Sequence, residues 1–207
     1  MTKFTREQAS ARADCRLAQA LNILHSHNFL STLGSRNGNS WGDKDIWSAI
    51  YSPLTSLLGE ELTKLLHQAD APVQQYEFKE SYAFESDPPS KALNPHGRSR
   101  DHAVPLRAII EHLLEDVRNN PDRWPLEEEG VSGLRKFMID HIVIVDIPGS
   151  LNAHLNAEKL RHKMPDQYLN WHLNKPHKEA EAAMWGRYLK LGIVPPDKSG
   201  TSIVRLS

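Results

Sequence analysis

The stretch HIVIVDIPGSLNAH, residues 141–154, carries the clearest change of secondary-structure pattern in the chain. It begins with a nearly continuous run of apolar, mostly β-branched side chains, which is typical of a strand buried on both faces. Pro148 and Gly149 then turn the chain, and Ser150 is a residue type that caps helices. The stretch therefore predicts a strand over 141–147, followed by a helix over about 150–163.

The N-terminal third of the chain has a helical periodicity. Thr5 and Gln8 form the pattern of a capping box, and apolar residues at every third or fourth position predict a helix that ends near His27. The Gly-, Ser- and Asn-rich segment 31–43 is predicted to be a loop. A second helical stripe follows, which Pro53, with Ser52 as its cap, should divide into two helices. The first stripe is predicted to face the core, and the second is predicted to form core or a surface for a partner helix. The apolar positions of the two stripes are Ala13, Leu17, Ala20, Leu21, Leu24, Ile46, Trp47, Ile50, Leu54, Leu57, Leu58, Leu62, Leu65 and Leu66.

The pattern changes after Ala71. Tyr76, Phe78, Tyr82 and Phe84 alternate with polar neighbours and predict a strand or hairpin. Further helices are predicted over 106–117, 134–138 and about 177–191. We therefore expect an α+β, predominantly helical fold. A helical N-terminal region over 1–70 precedes an α+β region over 71–207, and the two can equally form one compact domain.

Composition narrows the class of protein. With 39% hydrophobic and 25% charged residues, the chain can form a sizeable core and fits neither a disordered protein nor a coiled-coil rod. It contains no apolar run of membrane-spanning length, and the polar start MTKFTREQASARAD does not resemble a secretory signal. Cys15 is the single cysteine, so an internal disulfide and a cysteine-rich zinc site are excluded. We expect a cytoplasmic protein in which Cys15 is a buried small residue.

The net charge of −1 hides an uneven distribution. Residues 159–207 hold nine Lys or Arg against four acidic residues, whereas residues 60–90 hold two basic and seven acidic ones. A basic face on a neutral protein can bind phosphate groups, and an acidic face can bind a basic partner. Both segments are also compatible with ordinary solvated surface.

The segment RSRDHAVPL, residues 98–106, resembles the first half of the motif of HNH (ββα-metal) endonucleases. In that family an Asp-His pair closes a strand, and a later strand leads into a helix with another metal-binding histidine. The resemblance implies that Asp101 and His154 bind a divalent metal ion and that His102 is the general base. Because neighbours on a regular strand point to opposite faces, this pair requires an irregular strand end, which Pro105 can supply.

The resemblance implies that the chain contains a ββα-metal element with a helical insertion. It also implies that this element cleaves DNA. One divalent ion, Mg²⁺ first and Mn²⁺, Ni²⁺ or Zn²⁺ as alternatives, would stabilise charge on the phosphate. Asn152 is the candidate for the middle position of the motif, beside Asn156 and Asp146, and His162 is a further candidate metal ligand. The candidate phosphate contacts are Arg98, Arg100, Lys159, Arg161 and Lys163.

The chain departs from the family pattern in two respects. Some 36 residues separate Pro105 from the second strand, where the family has a short link, and the zinc-knuckle cysteines of many members are missing. The pair Asp140-His141 offers an alternative register, with His141 as base, His154 in the middle position and His162 as metal ligand.

Two other functions remain open on the sequence. The first is a non-catalytic nucleic-acid-binding protein built on a degenerate nuclease fold, whose binding would depend strongly on salt. The second is a helical immunity or inhibitor-type protein that uses the acidic segment 60–90 to bind a basic protein partner. For the nuclease, DNA is the expected partner, and cleavage at a palindrome would require a homodimer.

Overall fold

The computed structural model describes residues 4–37, 47–71, 73–78, 97–165 and 183–193. Helices predominate, and one three-stranded sheet accompanies them, which confirms the prediction of a mainly helical α+β protein. The chain divides into two compact units. The first unit comprises residues 1–73 and 109–141, and the second comprises residues 74–108 and 142–207. The domain boundary near residue 70 stays a prediction, and the contacts group 109–141 with the N-terminal helices.

The first unit is helical. The capping box at its start is confirmed, since the Thr5 amide donates to Gln8 Oε1 at 3.1 Å and the Gln8 amide donates to Thr5 Oγ1 at 3.2 Å. A π-helical turn covers Trp47–Tyr51 and a 3₁₀ turn covers Pro121–Arg123. The helices are α1 (Arg6–Asn37), α2 (Ser52–Leu58), α3 (Glu60–Gln68), α4 (Leu106–Asn119, in this unit from Ile109) and α5 (Glu128–His141).

The predicted apolar stripes form the core of this unit. Polar contacts add to the packing, because Arg135 of α5 donates hydrogen bonds to Ser10 at 2.8 Å and Asp14 at 2.7 Å on α1. Predicted core positions that are buried here are Ala13, Leu17, Ala20, Leu21, Leu24, Ile50, Leu54, Leu58, Leu62, Leu65 and Leu66.

Three local expectations in this unit are wrong. Helix α1 continues to Asn37, so part of the predicted loop is helical, at a cost of about 1 kcal/mol for a glycine such as Gly34 within a helix. Cys15 is exposed because it lies about 200° around the helix from the buried positions 13 and 17. Ser52 begins α2 without a side-chain cap, although Pro53 does occupy the first turn.

The alternative register uses His141 as the first residue of the predicted strand. This expectation is also wrong, because Asp140 and His141 both lie in the last turn of α5. The His141 ring stacks on Phe137 with 4.3 Å between centroids, and its Nδ1 lies 2.6 Å from the Phe137 carbonyl oxygen. Phe137 and His141 are one helical turn apart, so these contacts extend the helix to residue 141, where the apolar pattern predicts a strand.

The second unit is built on the sheet of β1 (Gln74–Glu77), β2 (Arg98–His102) and β3 (Val143–Pro148), in the order β1-β3-β2. The central strand β3 is parallel to β1 and antiparallel to β2. Its burial alternates in the first half and is complete at Ile147 and Pro148. The predicted strand over 141–147 thus exists at 143–148. Of the predicted hairpin aromatics, Tyr76 lies in β1, and Tyr82 and Phe84 fall outside the described residues.

Helix α6 (Gly149–Ala157) follows β3 directly, and α7 (Gly186–Lys190) lies further along the chain. Ser150 does not cap α6, since Pro148 holds the cap position without a side-chain bond, so that expectation is wrong. The Gly149 amide instead donates to the Gly97 carbonyl at 2.7 Å, which ties the start of α6 to the start of β2. Among the described residues, no helix is long and apolar enough to cross a membrane.

Helix α6 ends at residue 157, before the predicted end near 163, because its last turn closes in a Schellman motif. Lys159 has a φ of 59°, its amide bonds to the Asn156 carbonyl, and the Leu160 amide bonds to the Leu155 carbonyl at 2.8 Å. Leu155 and Leu160 are both buried, as the apolar contact of this motif requires. The motif recurs after α7, where Gly192 has a φ of 72°.

Candidate functional site

Asp101 and His102 lie in regular positions of β2, not at an irregular strand end. Asp101 pairs with Val145 of β3, and His102 pairs with Ile144. Neighbouring side chains of such a strand point to opposite faces of the sheet. The Asp101 side chain lies on the face that meets α7, whereas the half-buried His102 side chain, with its Nε2 buried, belongs to the other face. The nuclease resemblance requires an irregular strand end at this pair, and the regular geometry of β2 does not provide one.

The carboxylate of Asp101 contacts a fully buried guanidinium, that of Arg187 on α7. Arg187 Nη2 donates to Asp101 Oδ2 at 2.6 Å and also to the His102 carbonyl. Its Nη1 donates to the carbonyls of Leu160 at 3.1 Å and Arg161 at 3.4 Å, and its Nε donates to the Ala103 carbonyl at 3.2 Å. These five bonds match the five N–H donors of a guanidinium, so the group is satisfied entirely by the protein.

This arrangement explains how a charge is tolerated in the interior. Burying an ionised side chain costs several kcal/mol unless a counter-ion and hydrogen bonds compensate for the lost water. Asp101 provides the counter-ion, and the Tyr188 hydroxyl donates to the same Oδ2 atom at 2.9 Å. Burial, followed by the negative charge of Asp101, raises the pKa of Tyr188 well above its usual value. The Tyr188 hydroxyl therefore remains a protonated donor to Asp101.

The same arginine joins three segments that are distant in sequence. The backbone carbonyls that accept its hydrogen bonds lie at the end of β2 and in the turn after α6. Arg187 itself lies on α7, 86 residues after Asp101. The aromatic core supports this join, since Tyr188 packs on Phe78 at 5.1 Å between centroids and Trp185 packs on Tyr76 at 5.1 Å. Arg187 thus fixes the position of the turn at Leu160 and Arg161 against the edge of the sheet.

A polar pocket of about 160 Å³ lies at this junction. Four of the residues that the sequence singles out line it together, namely Arg100, Asp101, Asn152 and Arg161. The complete lining is Ser99, Arg100, Asp101, Asn152, Leu155, Arg161 and Arg187.

The electrostatic environment of the pocket is positive. His162 is an exposed residue, but partial burial of its imidazole lowers its pKa, and the charges of Arg161, Arg107 and Arg187 lower it further, while Asp101 acts in the opposite direction. The cations that disfavour a protonated imidazole at residue 162 attract an anion for the same reason. Since the Arg187 charge is balanced by Asp101, Arg161 provides the excess positive charge at the pocket itself.

The other predicted site residues lie outside the pocket lining. On α6, His154 is about 200° around the helix from Asn152, which does line the pocket, and so lies on another side of the helix. Arg98 is held within the sheet, where it bonds to Asp146 at 3.0 Å and contacts Glu77 at 3.2 Å. Lys159, His162 and Lys163 are exposed around the turn that follows α6.

The side chains at Asp101 do not suit a divalent cation as they stand. Asp101 Oδ2 already accepts bonds from Arg187 and Tyr188, and a metal ion there would meet the guanidinium charge. Within the described ranges, no three His, Cys, Asp or Glu side chains form a group that could hold a metal ion. The metal-ligand roles of Asp101, His154 and His162 and the catalytic roles of His102 and Asn152 stay predictions.

Sequence reasoning missed Arg187 and Tyr188, the two residues that contact the Asp101 carboxylate. A signal for Arg187 exists in the segment MWGRYLKLGI, where one arginine is flanked by aromatic and apolar residues. A charge in such a setting needs a buried partner. The signal does not identify the partner, because Asp101 is distant in sequence.

Comparison with known proteins adds no family to this description. No family model matches the chain, and no curated protein and no solved structure matches it.

Proposed function

We propose that the second unit binds nucleic acid through its backbone phosphate groups and that this binding needs no metal ion. The observation that carries the proposal is the pocket at the edge of β2. Arg161 lies at it as an exposed cation, and its innermost cation, Arg187, is already neutralised by Asp101. Phosphate contacts of this kind position a protein on a nucleic acid without reading its sequence.

The cations around the pocket are concentrated in a short part of the chain. Lys159, Arg161 and Lys163 are exposed within five residues, and the Schellman motif at the end of α6 turns this segment next to the pocket. Such a turn presents neighbouring side chains in different directions. The cluster can therefore follow a polyanion instead of a single charge.

The acidic residues that the structure describes in the 60–90 segment do not form a comparable surface. Glu60 and Glu61 both pair with Lys64, and Asp70 pairs with Arg6. Glu60 and Glu61 share a single lysine, so part of this negative charge is balanced within the chain, whereas no acidic residue in the described ranges pairs with Lys159, Arg161 or Lys163. This difference favours the basic cluster over an acidic partner surface as the binding site. A protein partner is nevertheless an outcome that the test below can report.

Binding of fluorescently labelled duplex DNA, single-stranded DNA and RNA tests the proposal. With up to about four phosphate contacts, the affinity should fall with salt at a log–log slope no steeper than about −4. The affinity should be the same in EDTA and in Mg²⁺. Arg161→Ala should weaken binding, whereas the exposed Arg118→Ala on α4, a matched change in the first unit, should leave it unchanged. Absence of binding at low salt, or binding only with Mg²⁺, would contradict the proposal.

A metal-dependent HNH-type endonuclease is the second candidate, and one observation favours it. The antiparallel strands β2 and β3 lead into α6, the strand-strand-helix order of the family, and Asp101 and Asn152 line one pocket. In this reading Asp101, His154 and His162 hold the ion and His102 activates water. The Arg187 guanidinium would have to leave Asp101 before an ion could bind there.

Cleavage assays separate the two candidates. Supercoiled plasmid and structured RNA are incubated with the protein in Mg²⁺, Mn²⁺, Ni²⁺ or Zn²⁺, with EDTA as the control. The nuclease requires nicking that EDTA and His102→Ala both abolish. The binding protein requires that no metal produces nicking under conditions in which the same substrates are bound. Sedimentation of the free protein and of the complex reports whether a homodimer forms.

A further inference from the structure

The polar side chains that line the pocket are mainly hydrogen-bond donors. Ser99 carries one hydroxyl donor, Asn152 an amide with two, and each arginine a guanidinium with five. Arg187 is an exception in practice, because all of its donors are used by Asp101 and by backbone carbonyls. The side-chain donors left for a ligand are those of Ser99, Asn152 and Arg161, because the Arg100 side chain belongs to the opposite face of β2.

The two outer arginines are not committed elsewhere in the part of the chain that the structure describes. Neither Arg100 nor Arg161 has a side-chain hydrogen bond or an ion pair with any described residue. With the Arg187–Asp101 pair neutral, Arg161 leaves about one positive charge at the mouth of the pocket, whereas the Arg100 side chain belongs to the face of β2 opposite Asp101. That charge complements a phosphate group, either a singly charged diester or a monoester that carries up to two charges.

The size of the pocket agrees with one such group. Its volume of about 160 Å³ is roughly five times the share of one water molecule in the liquid. A phosphate group with a bridging water fits this space. The volume of the pocket therefore agrees with a backbone phosphate unit.

We infer that this pocket is a phosphate subsite, in which Arg161 binds the phosphate oxygens with the help of Asn152 and Ser99. Arg187 is a positioning residue, because it holds the backbone of Arg161 against the end of β2 without offering a donor to the ligand. The inference rests on the proposed function in one respect, namely that the phosphate belongs to a polynucleotide.

The first test uses the full chain and inorganic phosphate as the probe. Phosphate should raise the midpoint of thermal unfolding above that in chloride of equal ionic strength, because it binds the native state. In Arg161→Ala the affinity for phosphate should fall about tenfold or more, as expected for loss of a charge-assisted bond. Arg118→Ala should retain the wild-type affinity. An equal effect of phosphate and chloride, or an unchanged affinity in Arg161→Ala, overturns the subsite.

Oligonucleotides with and without a 5′-phosphate identify the source of the phosphate. Equal affinities, both reduced in Arg161→Ala, assign the pocket to internal diesters, and a clear preference for the phosphorylated end assigns it to terminal monoesters. Either result supports the subsite. Nucleic-acid binding in a protein that shows no phosphate effect overturns the subsite and leaves the proposed function standing. Phosphate binding without any oligonucleotide binding overturns the proposed function instead.

A second pair of variants tests the positioning role of Arg187. Arg187→Lys keeps the charge but loses the planar five-donor group, whereas Tyr188→Phe removes a different bond to the same Asp101 oxygen. Both are compared below their own unfolding midpoints, where each is fully folded. Phosphate affinity should fall about tenfold in Arg187→Lys and stay near wild type in Tyr188→Phe. Equal losses in the two variants would assign Arg187 a purely structural role.

Discussion

The guanidinium of Arg187, which has no exposed surface, lies 2.6 Å from the carboxylate of Asp101, whose side chain is 21% exposed. The two charged groups therefore differ in how well water could solvate each of them if the other were removed. Asp101 without Arg187 can reach water, whereas Arg187 without Asp101 is a buried charge that cannot. This asymmetry makes the two single substitutions unequal.

Asp101→Asn should destabilise the protein by about 3 kcal/mol or more, because it leaves the buried guanidinium without a counter-ion. The double variant Asp101→Asn with Arg187→Met should lose less than the sum of the two single changes, since the pair acts as a unit. Urea unfolding of the wild type, both single variants and the double variant measures this coupling. Strictly additive losses would show that the ion pair is not an energetic unit.

Two glycines of α5 should respond in opposite ways to alanine. A Cβ on Gly130 would lie 1.7 Å from the Pro125 carbonyl oxygen, a backbone atom that cannot move aside, whereas a Cβ on Gly133 would meet no atom within 4 Å. Gly130→Ala should therefore destabilise the first unit by several kcal/mol. Gly133→Ala should stabilise it by up to about 1 kcal/mol, because alanine favours the helical backbone. Equal melting temperatures of the two variants would contradict this packing.

Lys159→Gly should stabilise the second unit by up to about 1 kcal/mol, because Lys159 has a φ of 59° in the Schellman motif, where glycine carries no steric penalty. Lys159→Ala is the control, since it removes the same charge and keeps the Cβ. Chemical unfolding should rank glycine above alanine at this position. If alanine proved as stable as glycine, the left-handed backbone at residue 159 would be refuted.

The pKa of His162 predicts a pH dependence with a defined sign. Burial and the cations Arg161, Arg107 and Arg187 lower this pKa below its unfolded value of about 6.5. Between the two values the unfolded chain binds more protons, so the contribution of His162 to stability is present above pH 6.5 and decreases as the pH falls through the folded pKa. Unfolding experiments should show a reduced pH slope in His162→Gln, and an unchanged slope would exclude His162 as the cause.

An anion in the pocket should have the opposite influence on the same imidazole. A phosphate near His162 favours its protonated form and raises its pKa, so binding takes up protons. Phosphate affinity should therefore increase as the pH falls towards 6 in the wild type, after correction for the protonation of phosphate itself. In His162→Gln this increase should be smaller, and affinity titrations across the pH range measure the difference.

Elements with a local cause were predictable from the sequence. The capping box of Thr5 and Gln8, the core stripes of the first unit, and the passage from β3 to α6 depend on residues a few positions apart. Helix ends were less predictable, because α6 stops at a Schellman motif that has lysine where glycine is usual. The apolar neighbours of His141 predict a strand at a position where contacts with Phe137 extend the helix instead.

The candidate site was predictable only in part. Arg100, Asp101, Asn152 and Arg161 were selected for their chemical type, and the structure brings them to one pocket. The partner of Asp101 was not predictable, since it comes from a helix that shares no pattern with β2. When the partner of Asp101 is not known, an aspartate next to a histidine resembles a pair of metal ligands. The sequence alone then does not indicate the positive charge around the pocket.

The position of Arg187 along the chain has a consequence for synthesis on the ribosome. Asp101, the end of β2 and the turn after α6 all emerge before the residue that holds them together. A nascent chain that ends before position 187 should contain the sheet residues without their charge balance and remain open to protease at this junction. The second unit should acquire its protected form only once α7 has left the exit tunnel and Arg187 can reach Asp101.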